Sequence, residues 1–420
     1  MAVTTADAVT AINSLTKRWL AAVGEGSTVL SGAGVWPLLA FLADGADDAG
    51  RAELAAAIGV PAEAAAQAAR EVSAVVDASA AARVALGLWT RREVKVHEAW
   101  LARLAAGVHG ELTGDAGPDQ KRLDAWASEH TDGLVPALPI RVGPGTMLVL
   151  ASALTVDVTW REHFREGRVR STGPWAADGE LPALQRSGAN LRALRLADTP
   201  IGRVSALTVD GDGDGDVDVV LVLGPEERSA AEVLPIGVEL AASSSADRSG
   251  QAGRSGRPSQ SARPGYPVVT GSDLATGETG PGVTVETVDS MGPGDILAVT
   301  TVPFRVSAQH DLRRHAALFG LQHVLTPGSA HFPGISDYPL AVNEARQDAV
   351  AVFNASGFHA AAVTAFGMFA GMAPRPSRVR KVSVVFDRPF AYYAVHRPSG
   401  LILVAGWVGE PDQDVSSGNA

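Results

Sequence analysis

The chain changes texture at Met147, and no other feature constrains its fold as strongly. Before that point apolar residues recur at helical spacing or sit in Ala-rich runs. After it, short β-branched runs follow one another. Val9, Ile12, Leu15, Trp19 and Leu20 mark an amphipathic helix near the N-terminus. Ala62–Ala82 is Ala-rich with few breakers and reads as a helix, as do Glu98–Ala106 and Lys121–Glu129, while Val84–Thr90 reads as a strand. From Met147, MLVLASALTV has the length and apolar continuity of a central strand covered on both faces. Val217–Leu223, Ile296–Val302, Ala349–Phe353, Lys381–Phe386 and Leu401–Val408 read as further strands. Helices early and strands late predict an α+β fold rather than alternating βαβ units.

The apolar content supports a large core: 420 residues, 46% of them hydrophobic, with a mean hydropathy of +0.10. Net charge is −11, from 35 basic against 46 acidic residues. That balance argues against a nucleic-acid partner, which needs a basic face. The absence of cysteine excludes disulfides, cysteine catalysis and thiolate metal sites. Met1–Leu20 lacks a secretory pattern, because Lys17 and Arg18 follow the apolar positions instead of preceding them. Taken alone, the sequence therefore points to the cytoplasm. Gly26–Ala43 is uncharged, yet its Gly, Ser and Pro content divides it into a short strand (Thr28–Leu30), a turn and a buried helix starting at Pro37, with no membrane span expected.

Two segments read as unpacked. Ser243–Gly265 is Ser, Gly, Arg and Pro, including Arg248, Arg254, Arg257 and Arg263, and is expected to be a disordered, solvated insertion. Gly367–Ser377 is a Gly/Pro-rich stretch that carries Met368, Phe369 and Met372 on what reads as a loop. Residues 412–420 read as a flexible tail within a chain expected to form one domain over 1–420.

Catalytic and metal motifs fail one by one. Asp210–Asp218 begins like a calcium loop, with Asp212, Asp214 and Gly215 in place, but its twelfth position is Leu221 where a bidentate Glu is needed. Its flanks read as strands, so a tight acidic hairpin turn is expected, with weak calcium binding as the alternative. His97-Glu98 opens like a zinc-protease motif, but position 101 is Leu. There is no phosphate-binding G-x-x-x-x-G-K-[ST] and no G-x-S-x-G. The histidines are scattered, with no metal-ligand spacing. No enzyme activity, cofactor or metal is expected.

The last third carries a resemblance. Phe386-Asp-Arg-Pro-Phe-Ala-Tyr-Tyr393, followed by Ser399-Gly-Leu-Ile-Leu-Val-Ala-Gly-Trp-Val-Gly-Glu-Pro411, resembles the C-terminal signature of the serpins, whose D-[HR]-P-F and G-x-I-L-F-x-G-x-V-x-x-P strands pair in the core. Leu30-Ser31 through Leu42 and Gly45-Ala46 resembles F-S-P-x-S-I-x-x-A-L-x-x-L-x-x-G-A. Leu123–Leu134 resembles I-N-x-W-V-x-x-x-T-x-G-K. Leu148–Trp160 with Phe164 resembles L-V-L-V-N-A-x-x-F-x-G-x-W…F, and Phe332–Asp337 resembles F-S-G-I-S. The matches fall in family order along nearly the whole chain. The resemblance implies an α+β domain with three β-sheets, about eight or nine helices and an exposed reactive-centre loop. It also implies a monomer, often extracellular, that needs no catalytic residues. A serine protease cleaves the bait loop, the loop inserts into the large sheet, and the acyl-enzyme is trapped.

On the same resemblance, Asn354–Thr364 is the hinge, carried by Asn354, Gly357, Ala360, Ala361, Ala362 and Thr364. Small side chains suit a strand that must slide between others. Phe358 stands where the family has Thr or Ser, and its ring is expected to overpack the sheet by about 1–3 kcal/mol and slow insertion. His359 replaces a Glu, facing outward, and Ala355 replaces another. In the polar cluster under the sheet opening, Gly34 replaces Ser, Ser152 replaces Asn, and Gln347 stands near the family's His. Counting from the hinge Gly places the reactive bond at Gly371-Met372, with Met372-Ala373, Phe369 and Arg375 as alternatives. Met or Phe there suits an elastase-, chymotrypsin- or subtilisin-like protease. The rival expectation is a non-inhibitory binding or carrier serpin that is cleaved as a plain substrate.

Overall fold

The computed structural model describes residues 3–131, 133, 136–138, 140–143, 145–212, 215–252, 265–292, 294–326, 328–358 and 377–412. Its α-helices are α1 (Thr5–Leu20), α2 (Gly32–Gly45), α3 (Asp48–Ile58), α4 (Ala62–Asp77), α5 (Glu98–Leu101), α6 (Ala116–His130), α7 (Ala230–Ala252) and α8 (Ala316–Phe319). The strands of the first half are β1 (Thr28–Leu30), β2 (Ala82–Arg91), β3 (His109–Leu112), β4 (Leu148–Val156), β5 (Val158–Thr159), β6 (Arg165–Arg170), β7 (Glu180–Gly188), β8 (Leu194–Thr199) and β9 (Gly202–Val209). Those of the second half are β10 (Val217–Leu223), β11 (Val268–Thr270), β12 (Thr279–Gly280), β13 (Val283–Ser290), β14 (Ile296–Thr301), β15 (Phe304–Asp311), β16 (Glu344–Phe353), β17 (Gly357–Phe358), β18 (Ser377–Phe386), β19 (Phe390–His396) and β20 (Leu401–Val408).

The strands form three sheets, so the expected α+β architecture holds. The main sheet runs β3-β2-β4-β16-β17-β5, with β15 paired to β16. A second runs β1-β20-β19-β10-β9-β8-β11, and a third β12-β13-β18-β14-β7-β6. The two signature strands pair as the resemblance implies: β19 and β20 are antiparallel, with Tyr392 opposite Gly406. Every residue of β10, β19 and β20 is buried, which is why these strands read as unbroken apolar runs. The strands that sequence reading passed over, such as β13 and β15, alternate buried and exposed positions, and their polar residues dilute the signal.

Helix α1 buries Val9, Ile12, Leu15, Trp19 and Leu20, and a capping box between Thr4 and Asp7 closes its N-terminus. Helix α2 is buried along its whole length. It starts at Gly32, not at Pro37: Ser31 caps it by accepting from the Gly34 N–H at 3.0 Å. Pro37 is tolerated inside because packing on every side, rather than one backbone bond, holds the helix. The Ala-rich helix α4 stops at Asp77, and Ala82 already belongs to β2. Helix α5 is a single turn ending at Leu101. Helix α7 continues through the expected loop start at Ser243 to Ala252, so the first part of the expected insertion is helical. The remaining residues of that Arg-rich insertion, 253–264, lie outside the described residues, as do 413–420. Among the described residues no helix is long and apolar enough to cross a membrane.

The strands on either side of the Asp210–Asp218 segment, β9 and β10, pair antiparallel as its flanks predicted, and Val217 and Asp218 already belong to β10. The segment's carboxylates have partners. Asp218 pairs with Arg397, and Asp216 accepts from Ser79 and lies 3.2 Å from His396 Nε2. Asp214 lies outside the described residues.

Candidate functional site

The site is built where β4 and β16 part company. The two strands pair in parallel only from Val149↔Glu344 to Ser152↔Gln347. Beyond that register their facing edges share no ladder. At the far end the short strand β17 fills the space, pairing Phe358 with Phe353 of β16 and with Val158 of β5. The main sheet thus has an opening closed at both ends, bordered by Ala153–Val156 on one side and Asp348–Val352 on the other. On β16 the side facing the main core carries Ala345, Ala349 and Ala351, small residues that leave width.

The closed lower end is a polar knot. Gln347 Oε1 accepts from the Ser31 N–H at 2.7 Å, and its Nε2 donates to Ser31 O at 2.8 Å and Ser152 Oγ at 3.3 Å. Ser31 Oγ donates to Leu403 O at 2.6 Å. The three positions that differ from the family pattern therefore do meet. A Cβ on Gly34 would stand 3.1 Å from Ser152 Oγ and 3.3 Å from Gln347 Nε2. The long Gln347 amide occupies the room a serine side chain would take, so Gly34, Ser152 and Gln347 form a matched set. His310, opposite Gln347 in the β15–β16 register, donates from Nε2 to Val29 O at 2.9 Å, and burial lowers its pKa.

The upper end is aromatic. Phe353 stacks on Phe304 at 5.3 Å and packs against Trp160 at 4.9 Å and Phe164 at 5.8 Å. Trp160 Nε1 donates to Asn354 O at 2.9 Å. The turn that follows is held by Asn354 Oδ1, which accepts from the Ser356 N–H, the Ser356 hydroxyl and the Gly357 N–H at 2.9–3.0 Å. That bonding explains why an Asn suits the first position of the expected hinge. Phe358 then enters the sheet with 1% of its surface exposed, its ring 6.3 Å from Tyr392. The ring is already housed over Tyr392 and beside Val158 and Phe353, because the aromatic floor is built around it.

One side chain on the opening went unnoticed in the sequence. Asp348 projects on the face opposite Ala349, and its Oδ1 is buried with no partner among the described residues. Burial pushes its carboxyl up to about 7, with Arg346 pulling weakly the other way. The signal was present as a single acid in the strand Arg346-Gln-Asp-Ala-Val-Ala-Val-Phe353, read only from Ala349 onward. The remaining expected hinge residues His359, Ala360, Ala361, Ala362 and Thr364 and the expected reactive bond Gly371-Met372 lie outside the described residues. The chain resumes at Ser377, where β18 pairs with β13 and β14 in the third sheet. Arg380 fixes that strand by donating to Asp295 Oδ2 and to Leu274 O at 2.7 Å.

With this geometry in place, comparison with known proteins assigns the class. The serpin (serine protease inhibitor) family model matches residues 9–181 and 294–411. The chain belongs to the serpin family, whose members generally target serine proteases. Among curated relatives, plasminogen activator inhibitor 1 of Bos taurus is 34% identical over 109 residues, 26% of this chain and 25% of that protein. Putative serpin-Z8 of Oryza sativa subsp. japonica is 26% identical over 340 residues, 78% of this chain and 75% of that one. The first of these alignments thus spans about a quarter of the relative's length. Native protease nexin-1 with heparin superposes at a TM-score of 0.67 and 15% identity, covering 96% of this chain and 98% of that one. A thyroxine-binding globulin complex with thyroxine superposes at 0.67 and 16%, with the same coverage. At such identities these likenesses establish the fold.

Proposed function

We propose that this serpin is a suicide inhibitor of a serine protease of elastase-, chymotrypsin- or subtilisin-like specificity. The observation that carries the reading is the opening between β4 and β16, with the hinge already entering it as β17. A protease cleaves the loop near Gly371-Met372. The freed segment from His359 to Thr364 and beyond then continues β17 down the opening. Backbone groups on both borders gain partners, the apolar floor is covered, and the attached acyl-enzyme is carried away from the bait position. The alternation of the strand would place Ala360, Ala362 and Thr364 on the side of Phe358, over Ala349 and Ala351, where small side chains fit. In this reading the protein contributes no catalytic residue and acts as a monomer.

The test is a denaturing gel with mass mapping after mixing the chain with chymotrypsin, elastase or subtilisin. The expected result is a denaturant-stable band at the sum of the two masses, with a released C-terminal peptide that fixes the scissile bond. Clean cleavage within 367–377 without that band would overturn inhibition and favour the second reading, a non-inhibitory binding protein cleaved as a plain substrate.

A further inference from the structure

A second cluster lies away from the sheet opening, where α3 meets the segment leading into β16. Asp47, the N-cap of α3, turns one carboxylate oxygen toward two imidazoles. His323 Nε2 lies 3.0 Å and His331 Nδ1 3.2 Å from Asp47 Oδ2. The three atoms all lie within 4.8 Å of one another, and the two rings meet edge to face at 4.4 Å. We propose that Asp47, His323 and His331 form a binding site for a zinc-class divalent transition metal.

The donor set is the first argument. Two imidazoles and a carboxylate are the ligands such ions take in three-protein-ligand sites, with water completing a tetrahedron. Metal–ligand bonds of about 2.0–2.1 Å set tetrahedral ligand atoms roughly 3.3 Å apart. Two of the three spacings are already near that value. The third closes with a small rotation of His323, which has room because 33% of its side chain is exposed.

The second argument is how the ligands are held. Asp47 Oδ1 accepts from the Gly50 N–H at 2.7 Å, which fixes the carboxylate plane and leaves Oδ2 for the ion. Glu53 Oε2 accepts from the His323 backbone N–H at 3.0 Å and fixes the turn that carries this ring. His331 is buried, and its Nε2 lies 3.2 Å from Thr326 O. A neutral imidazole has one N–H, yet both nitrogens of His331 face acceptors. An imidazolium or an ion on the Nδ1 lone pair would each satisfy both contacts; with the ion, Nε2–H donates to Thr326 O and Nδ1 faces the metal. A carbonyl behind a ligating histidine is the usual outer partner of such a site. Asp47 and His323 are both partly exposed, which leaves an entry path and a place for the water ligand.

An ion here would tie α3 to the segment that runs through Phe332 into β16, alongside the existing Asp47 N–H to His331 O bond of 2.8 Å. The binding site and its effect on stability do not depend on the protease reading.

The experiment uses the full chain freed of metal by a chelator, titrated with zinc sulfate by calorimetry. Thermal unfolding and the visible spectrum with cobalt(II) are followed in parallel. The expected result is one saturable site per chain, a thermal midpoint that rises with zinc, and cobalt bands of tetrahedral intensity. His323→Ala sits at the partly exposed rim and should still fold; it should weaken zinc at least about tenfold and abolish the cobalt bands. His163→Ala, an exposed histidine elsewhere, should bind as the parent does. The proposal is overturned if no saturable site appears, if His323→Ala binds as the parent does, or if magnesium and calcium raise the midpoint equally. In that case the cluster is a hydrogen-bonded cap of α3.

Discussion

Replacing Asp348 by Asn tests the electrostatics of the sheet opening. Burial, which leaves Oδ1 without a partner, pushes the native carboxyl up to about 7, and Arg346 compensates weakly. In the unfolded chain an aspartate titrates near 3.8. Between those values the native chain holds a proton that the unfolded chain has released, so native stability falls as pH rises from about 4 to about 7 and is level above that. At about 1.4 kcal/mol per pH unit the full difference would be about 4 kcal/mol. The carboxyl is only partly buried, so water screens it, and roughly 2 kcal/mol is expected. Asn keeps the shape and cannot ionise. Asp348→Asn should therefore be more stable than the parent by roughly 2 kcal/mol at pH 8 and equal to it near pH 4. The assay is urea unfolding of both chains at a series of pH values. Other titrating groups are common to both and cancel in the difference. A difference that stays constant across pH, or that favours the parent at pH 8, would refute the reasoning.

Two further outcomes follow from the same opening. Phe358→Thr removes a fully buried ring from above Tyr392 and should lower stability by about 3 kcal/mol, measured by denaturant unfolding; a loss under 1 kcal/mol would mean the ring is not part of the native core. Gln347→Ala strips the Ser31 N–H and O of their partners and should cost roughly 2–3 kcal/mol, whereas Gln347→Glu at low pH should recover part of that loss, since a protonated carboxyl can both accept and donate.

How far the sequence carried depended on how each residue is used. The paired signature strands β19 and β20, the burial of α1 and the antiparallel pairing of β9 with β10 were legible because each rests on local pattern: an apolar run, a 3.6-residue repeat, two short strands around a Gly/Asp stretch. The turn at the expected hinge rests on local chemistry too: Asn354 Oδ1 accepts from the Ser356 and Gly357 N–H groups. Other features were misread where packing overrides propensity. Pro37 suggests a helix start in isolation, but full burial carries α2 through it from Gly32. Phe358 offered no local sign of its surroundings; it is buried beside Phe353 of β16 with its ring 6.3 Å from Tyr392.

By itself, then, the sequence determined the class of fold, its helical first third and strand-rich remainder, and the family, because these follow from periodicity and from motifs in fixed order. The tertiary structure decided what residues far apart in the chain do together. It set where β4 and β16 stop pairing, how Gly34, Ser152 and Gln347 meet, and why burial raises the Asp348 carboxyl. It also brought Asp47, His323 and His331 within reach of one ion. Each depends on distance and desolvation between segments hundreds of residues apart or on opposite strands, and no local pattern encodes these.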